Sequence, residues 1–304
     1  MDELKKIRIL KFKNLGLGLF VHFGLYSYIG KGEWYMHNKN VDVKEYKKVM
    51  AKFNVRKNCF EDMINLAKRI GAKYIVLTTR HHDGFSLYNT KNLTDYDVMH
   101  TPTKRDLVKE FVDACRQNDI VPFFYHTLID WSNPVFETDF KEYLKYLKSS
   151  ITLLCKNYGE IGGFWFDGTW YPKKLNWKLN EIFKIIRKYQ PLATISNNGG
   201  LENPGEILDE EIDCIVYEKG QEKNKNSNSS LAKEVCQTLN NHWGYYKLDG
   251  NYKSATDILK EYNFCKKFSY NYLINVGPMP NLKIRKKDKL VLDEFATLNK
   301  KYNK

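Results

Sequence analysis

Short apolar runs alternate along this chain with longer segments whose apolar positions recur every three or four residues. The short runs predict buried strands at 17–23, 74–78, 121–126, 163–166, 193–196, 214–217, 234–239 and 272–276. The longer segments predict amphipathic helices at 60–70, 106–118, 140–158, 177–189, 256–268 and 288–301. In the third of these, Phe140, Tyr143, Leu144, Leu147, Ile151, Leu154 and Cys155 form one stripe. The opening Met1-Asp2-Glu3-Leu4-Lys5-Lys6 leads straight into a further, charged helix.

Strands that alternate with helices pair in parallel, and eight such units can close into a (β/α)8-like TIM barrel. The fifth to seventh units are irregular. Between Asn197 and Leu239 no long amphipathic helix is apparent, and 220–230 is a Gly/Asn/Ser-rich connection. The competing architecture, a doubly wound sheet, would place a Gly-x-Gly-x-x-Gly loop after the first strand. Gly16-Leu17-Gly18 lies inside that strand and lacks the third glycine, so no nucleotide site is expected. One catalytic barrel domain is expected over residues 1–304, with no C-terminal β-sandwich.

The formal charge of +13 raises the question of nucleic acid. The lysines are scattered, many of them on helical segments such as 42–53 and 285–304, and form no basic track with interleaved aromatics. Solvated helix faces explain them, and no nucleic-acid partner is expected. The six cysteines show neither C-x-x-C nor Cys/His zinc spacing, so they read as buried thiols, and no metal or other cofactor is expected. Without an apolar leader or a twenty-residue apolar span, the expected location is the cytoplasm, away from any membrane.

Chemistry collects at the C-terminal ends of the strands, the face where barrel enzymes carry their sites. Strand one gives His22, followed by Glu33 and Trp34; strand two gives His81 and His82; strand three gives Tyr125 and His126, then Asp130 and Trp131. Strand four gives Asp167, strand six Glu218 and strand eight Asn275. Pointed donors, two carboxylates and flat rings suit a polyhydroxylated ligand. Plainer readings exist for each. Asp167 could cap a helix, and Trp34, Trp131 and Trp243 could be core. Neighbouring histidines on a regular strand point to opposite faces, which makes a shared metal awkward.

Several motifs together resemble the family 29 glycoside hydrolases, the retaining α-L-fucosidases. They are Val21-His22-Phe23-Gly24, Gly32-Glu33-Trp34-Tyr35, His81-His82-Asp83-Gly84-Phe85, Arg105-Asp106-Leu107-Val108, Trp165-Phe166-Asp167-Gly168 and Leu273-Ile274-Asn275-Val276-Gly277-Pro278. The resemblance covers residues 14–284. It implies hydrolysis of terminal α-L-fucosyl linkages of a fucosylated oligosaccharide or glycoconjugate, with Asp167 as nucleophile. It also implies that His22, Glu33, His81, His82 and Tyr125 hold the sugar hydroxyls. Trp34 and Trp243 are the expected platforms. Glu218 fits the frame of the general acid/base, with Glu234 as the runner-up and Glu222 a third choice. A retaining mechanism needs one carboxyl ionised and the other protonated.

Two alternatives stay open: a catalytically silent fucose-binding barrel, and a retaining glycosidase for a related sugar such as an α-L-galactoside. The chain also departs from the family. Ser196-Asn197-Asn198 stands where many members carry Asn-Asp-Arg, and Ser269-Tyr270 replaces a glycine pair. Lacking the sandwich, the site should be open unless a second copy of the chain, in a homo-oligomer, covers it.

Overall fold

Eight parallel strands close into a barrel in the computed structural model, which describes residues 2–171, 175–220 and 230–302. The strands are β1 (Leu17–Val21), β2 (Tyr74–Arg80), β3 (Val121–Thr127), β4 (Gly163–Asp167), β5 (Thr194–Asn197), β6 (Cys214–Glu218), β7 (Ala232–Thr238) and β8 (Asn271–Val276). Each pairs with the next in sequence, and β8 returns to β1 through Leu17↔Tyr272 to Val21↔Val276. Almost every strand residue is buried, because helices cover the outside and side chains fill the inside. Phe20, Val76, Tyr125 and Trp165 belong to the inner cluster; Leu19, Leu77, Phe124 and Phe166 belong to the outer one, under the helices.

Helices Glu61–Ile70, Leu107–Arg116, Phe140–Asn157, Leu179–Tyr189, Ala255–Lys267 and Lys286–Tyr302 occupy the segments the periodicity predicts. Segment 42–53 is shorter than its pattern implies: Val43–Lys47 is α-helical and Lys48–Lys52 tightens into a 3-10 turn. Among the described residues no helix forms between β5 and β6, in line with the irregularity expected there, whereas 221–229 in the β6–β7 connection lie outside the described residues.

The bottom of the barrel is plugged by helix Glu3–Lys13, whose N-cap Asp2 accepts from Lys5 N–H at 2.6 Å. Its Phe12 ring stands 5.6 Å from Tyr74 and 5.5 Å from Phe123. Arg8 on the same helix is buried against Asp213 at 2.9 Å, and Arg187 reaches that carboxylate at 2.7 Å. With one mouth sealed, the C-terminal mouth is left for chemistry. All six cysteines are buried thiols, and no described helix is long and apolar enough to cross a membrane.

Candidate active site

Asp167 closes β4, and Gly168 follows at φ 101, a left-handed conformation that suits glycine and turns the chain away at once. The carboxylate is nearly buried and richly solvated by donors. Its Oδ1 accepts from Gly168 N–H (2.9 Å), Trp170 Nε1–H (2.7 Å) and the Asn198 amide (3.3 Å). Its Oδ2 accepts from the Tyr125 hydroxyl at 2.9 Å, and His82 Nε2 lies 3.5 Å away. Burial pushes this carboxyl up, but the His82, Trp170 and Tyr125 contacts outweigh it and hold it below its ordinary 3.8.

Glu218 ends β6 and accepts from the same Asn198 amide nitrogen at 2.9 Å. Burial first, and the Asp167 charge second, raise its pKa above the ordinary 4.5; Asn198, Lys219 and Trp243 oppose them without winning. Two carboxyls of one chemical type are therefore driven apart, the condition for an acid and a nucleophile to coexist.

His22 follows β1, and its proton position can be deduced. Asn275 donates its amide N–H to Trp243 O at 2.7 Å, so its oxygen faces His22 Nδ1, also at 2.7 Å, and Nδ1 carries the hydrogen. Burial lowers the His22 pKa to about 3, leaving a neutral ring with Nε2 as an acceptor. His82 Nδ1 is also a donor, while its Nε2 faces Asp167 Oδ2. Thr127 gives its hydroxyl proton to Ile129 O at 2.9 Å and therefore accepts from His82 Nδ1 at 2.6 Å.

The histidine pair departs from the alternation expected of a regular strand. β2 ends at Arg80 with a register shift between Thr78 and Arg80, so His81 and His82 lie past the ladder and both face the cavity. Their rings are 4.3 Å apart, and His81 stacks on Tyr125 at 5.5 Å. Among the described residues no three His, Cys, Asp or Glu side chains group as a metal site would need.

One small cavity of about 50 Å³ unites these groups. It is bordered by His22, Trp34, His81, His82, Tyr125, Asp167, Glu218 and Trp243, all expected from the sequence, and by Phe20, Trp165, Trp170 and Asn198. Trp170 stacks on Trp34 at 5.5 Å and leans on Gly200, whose absent Cβ would come within 2.8 Å of the indole. Trp170 and Asn198 were missed as partners of Asp167. The only signal was position: Trp170 follows Asp167 by three residues, and Asn198 sits at the end of the strand between the two carboxylates.

Two expected residues lie off the cavity. Glu33 is buried, and its Oε2 accepts from Gly244 N–H at 2.7 Å. Glu234 lies within the barrel interior, where it accepts from Trp165 Nε1–H at 2.8 Å and from the Tyr74 hydroxyl. Strand alternation explains this: Ala232, Glu234 and Cys236 share the inward face of β7. Glu222 is outside the described residues.

A family model described as alpha-L-fucosidase matches residues 2–304. The chain belongs to the alpha-L-fucosidase family. The alpha-L-fucosidase of Dictyostelium discoideum is 23% identical over 311 residues, covering 88% of this chain and 64% of that protein. The chain thus spans a little under two thirds of the length of that curated relative. Among solved structures, alpha-L-fucosidase isoenzyme 1 from Paenibacillus thiaminolyticus superposes with a TM-score of 0.87 at 32% identity, covering 98% of this chain and 76% of its own. An alpha-L-fucosidase from Lactobacillus casei in complex with alpha-L-fucose product shares the fold, with a TM-score of 0.83 at 24% identity, and is covered over 99% of its length.

Proposed function

We propose that this chain is a retaining α-L-fucosidase acting on terminal α-L-fucosyl groups of glycans. The observation that carries the retaining reading is the shared amide of Asn198. A nitrogen 3.3 Å from an Asp167 oxygen and 2.9 Å from a Glu218 oxygen keeps those two oxygens within about 6.2 Å of each other. Retaining enzymes hold their carboxyls about 5–5.5 Å apart, whereas inverting ones need about 6.5–9.5 Å to admit a water.

Asp167, kept ionised by its donors, attacks the anomeric carbon; Glu218, kept protonated, gives its proton to the leaving oxygen. Once Asp167 is esterified its charge is gone, Glu218 is a carboxylate, and it takes a proton from the water that releases the sugar. His22 Nε2, His81, His82 and Tyr125 orient the hydroxyls, with Glu33 fixing the loop that presents Trp34. Trp34 and Trp243 flank the sugar. The apolar floor of Phe20 and Trp165, 5.0 Å apart, favours a methyl over a hydroxymethyl substituent, which supports fucose over galactose of the same configuration.

The test is release of 4-nitrophenol from the α-L-fucoside and the α-L-galactoside by wild type, Asp167→Ala and Glu218→Ala, with azide added. The reading expects preference for the fucoside and loss in both variants. Azide should yield a β-fucosyl azide from Asp167→Ala and an α-fucosyl azide from Glu218→Ala. An inert wild type that still binds fucose would replace this reading with a silent sugar-binding barrel.

A further inference from the structure

β5 stands between the strands that carry the two carboxyls, and the residue that follows it is neither acid nor cation. Asn198 is buried, and its placement is fixed on every side. Its backbone N–H extends the ladder to Phe166 O at 2.8 Å, and its carbonyl accepts from the Thr169 hydroxyl at 3.1 Å. Its side-chain oxygen accepts from Gly200 N–H at 3.1 Å. A backbone N–H can only donate, so the amide oxygen must face Gly200 and the nitrogen must face the carboxyls. Its two hydrogens then reach Asp167 Oδ1 and Glu218 Oε2.

We propose that Asn198 is the third member of the catalytic set, a neutral double donor that bonds both carboxyls at once and follows the negative charge as it passes between them. This rests on the fucosidase reading above. In the first step an Asp167 oxygen forms the bond to the anomeric carbon, the glycosidic bond breaks, and the leaving oxygen takes the proton of Glu218. Negative charge leaves Asp167 and appears on Glu218. A hydrogen bond to a carboxylate is stronger than one to an ester or acid. The amide's bond to Asp167 weakens as its bond to Glu218 strengthens, with no movement of Asn198. Water attack reverses the exchange.

Neutrality is the second part of the device. A guanidinium here would favour the ionised form of both carboxyls. Asn198 donates without adding charge, so Glu218 keeps its proton beside an ionised Asp167. The other groups facing Glu218 are the Tyr125 phenol, the Cys236 thiol, Lys219 and Trp243. Of these only Lys219 is cationic, and it does not reverse the upward displacement of Glu218.

The experiment measures kcat/KM against pH for wild type, Asn198→Leu and Asn198→Asp, on phenyl and 2,4-dinitrophenyl α-L-fucosides. Asn198→Leu should lose about 10²-fold on the phenyl fucoside. It should lose clearly less on the dinitrophenyl fucoside, whose leaving group needs little protonation. Its alkaline limb should move up by about one pH unit, because Glu218 has lost a donor that favoured its ionised form. Asn198→Asp keeps an acceptor for Gly200 and a similar shape, so it stands in if the leucine variant fails to fold. Its extra acid should also move the alkaline limb upward. Unmoved limbs in the folded variants, or equal losses on both substrates, would overturn the proposal while leaving Asp167 and Glu218 in place. A wild type inert toward both fucosides would overturn the parent reading and this one with it.

Discussion

Replacing Glu234 by glutamine should make the protein more stable at pH 8 and leave its catalysis nearly intact. Glu234 is buried among apolar side chains and accepts from Trp165 and Tyr74. Burial carries its pKa from 4.5 to about 7. In the unfolded chain the group releases its proton near 4.5, whereas the folded protein keeps it until about 7. Between those values the folded state binds more protons, so stability falls as pH rises through the window. The full loss, present above about pH 7, is about 3 kcal/mol at 1.36 kcal/mol per tenfold.

Glutamine removes that titration and keeps the shape. Its oxygen can accept from Trp165 Nε1–H, and its amide can donate to the Tyr74 hydroxyl, which rotates to accept. For a chain of 304 residues, an unfolding entropy of about 2.1 cal/mol/K per residue makes about 3 kcal/mol worth about 5 °C. Thermal unfolding should therefore show Glu234→Gln above wild type by about that margin at pH 8, with the two converging at pH 4. Comparing the pair isolates Glu234 from Asp83 and Asp288, which burial also raises. A difference that does not change with pH would refute the argument. So would a loss of activity as deep as that of Glu218→Ala, since Glu234 would then be handling the proton itself.

Other consequences are equally concrete. Because Asp167 is held below 3.8 and Glu218 above 4.5, kcat/KM should be bell-shaped, and the alkaline limb should vanish in Glu218→Ala assayed with azide; a surviving limb would assign it elsewhere. Trp170 Nε1–H occupies Asp167 Oδ1 at 2.7 Å on the cavity wall, so a fucose-like iminosugar whose ammonium pairs with that oxygen should displace Trp170 from Asp167, and the resulting change in tryptophan fluorescence should be much reduced in Trp170→Phe. An equal change in both would refute that displacement. Asp213→Ala should strand the buried Arg8 guanidinium at a cost of about 3–5 kcal/mol, read as a lowered Tm; a loss under about 1 kcal/mol would show that the pair is not needed.

All eight strands were legible because helices and interior side chains bury both faces of a parallel barrel strand, which therefore reads as an apolar run. Their ends were less so. β2 runs on to Arg80, whose fully buried guanidinium donates to the Tyr146 hydroxyl at 2.7 Å, and β7 begins before Glu234 at Ala232-Lys233. Polar residues at strand ends break the pattern that marks the strand. Period-two alternation misjudged His81 and His82 because the register shift in β2 releases them from the ladder. Trp170 and Asn198 gave no local sign of contact with Asp167, since the turns that deliver them are set by Gly168 and Gly200, both at positive φ. Glu234 was visible as a carboxyl, but which face of β7 it occupied depended on a register that no short window contains.

Burial alone cannot have assigned the roles of Asp167 and Glu218, because it raises both. What separates them is donors. Asp167 accepts from at least Gly168, Trp170, Asn198 and Tyr125, and it also faces His82. Glu218 accepts from Asn198 with a further contribution from Trp243, and it feels the charge of its neighbour. Each donor favours the ionised form, so the better-supplied group ionises first, and its charge then holds the proton on the other. The asymmetry is built by β3, by the turn after β4 and by the residue after β5. Stripping Tyr125 and Trp170 of their donor hydrogens should therefore bring the two limbs of the pH profile closer together, even though both carboxyl groups stay in the chain.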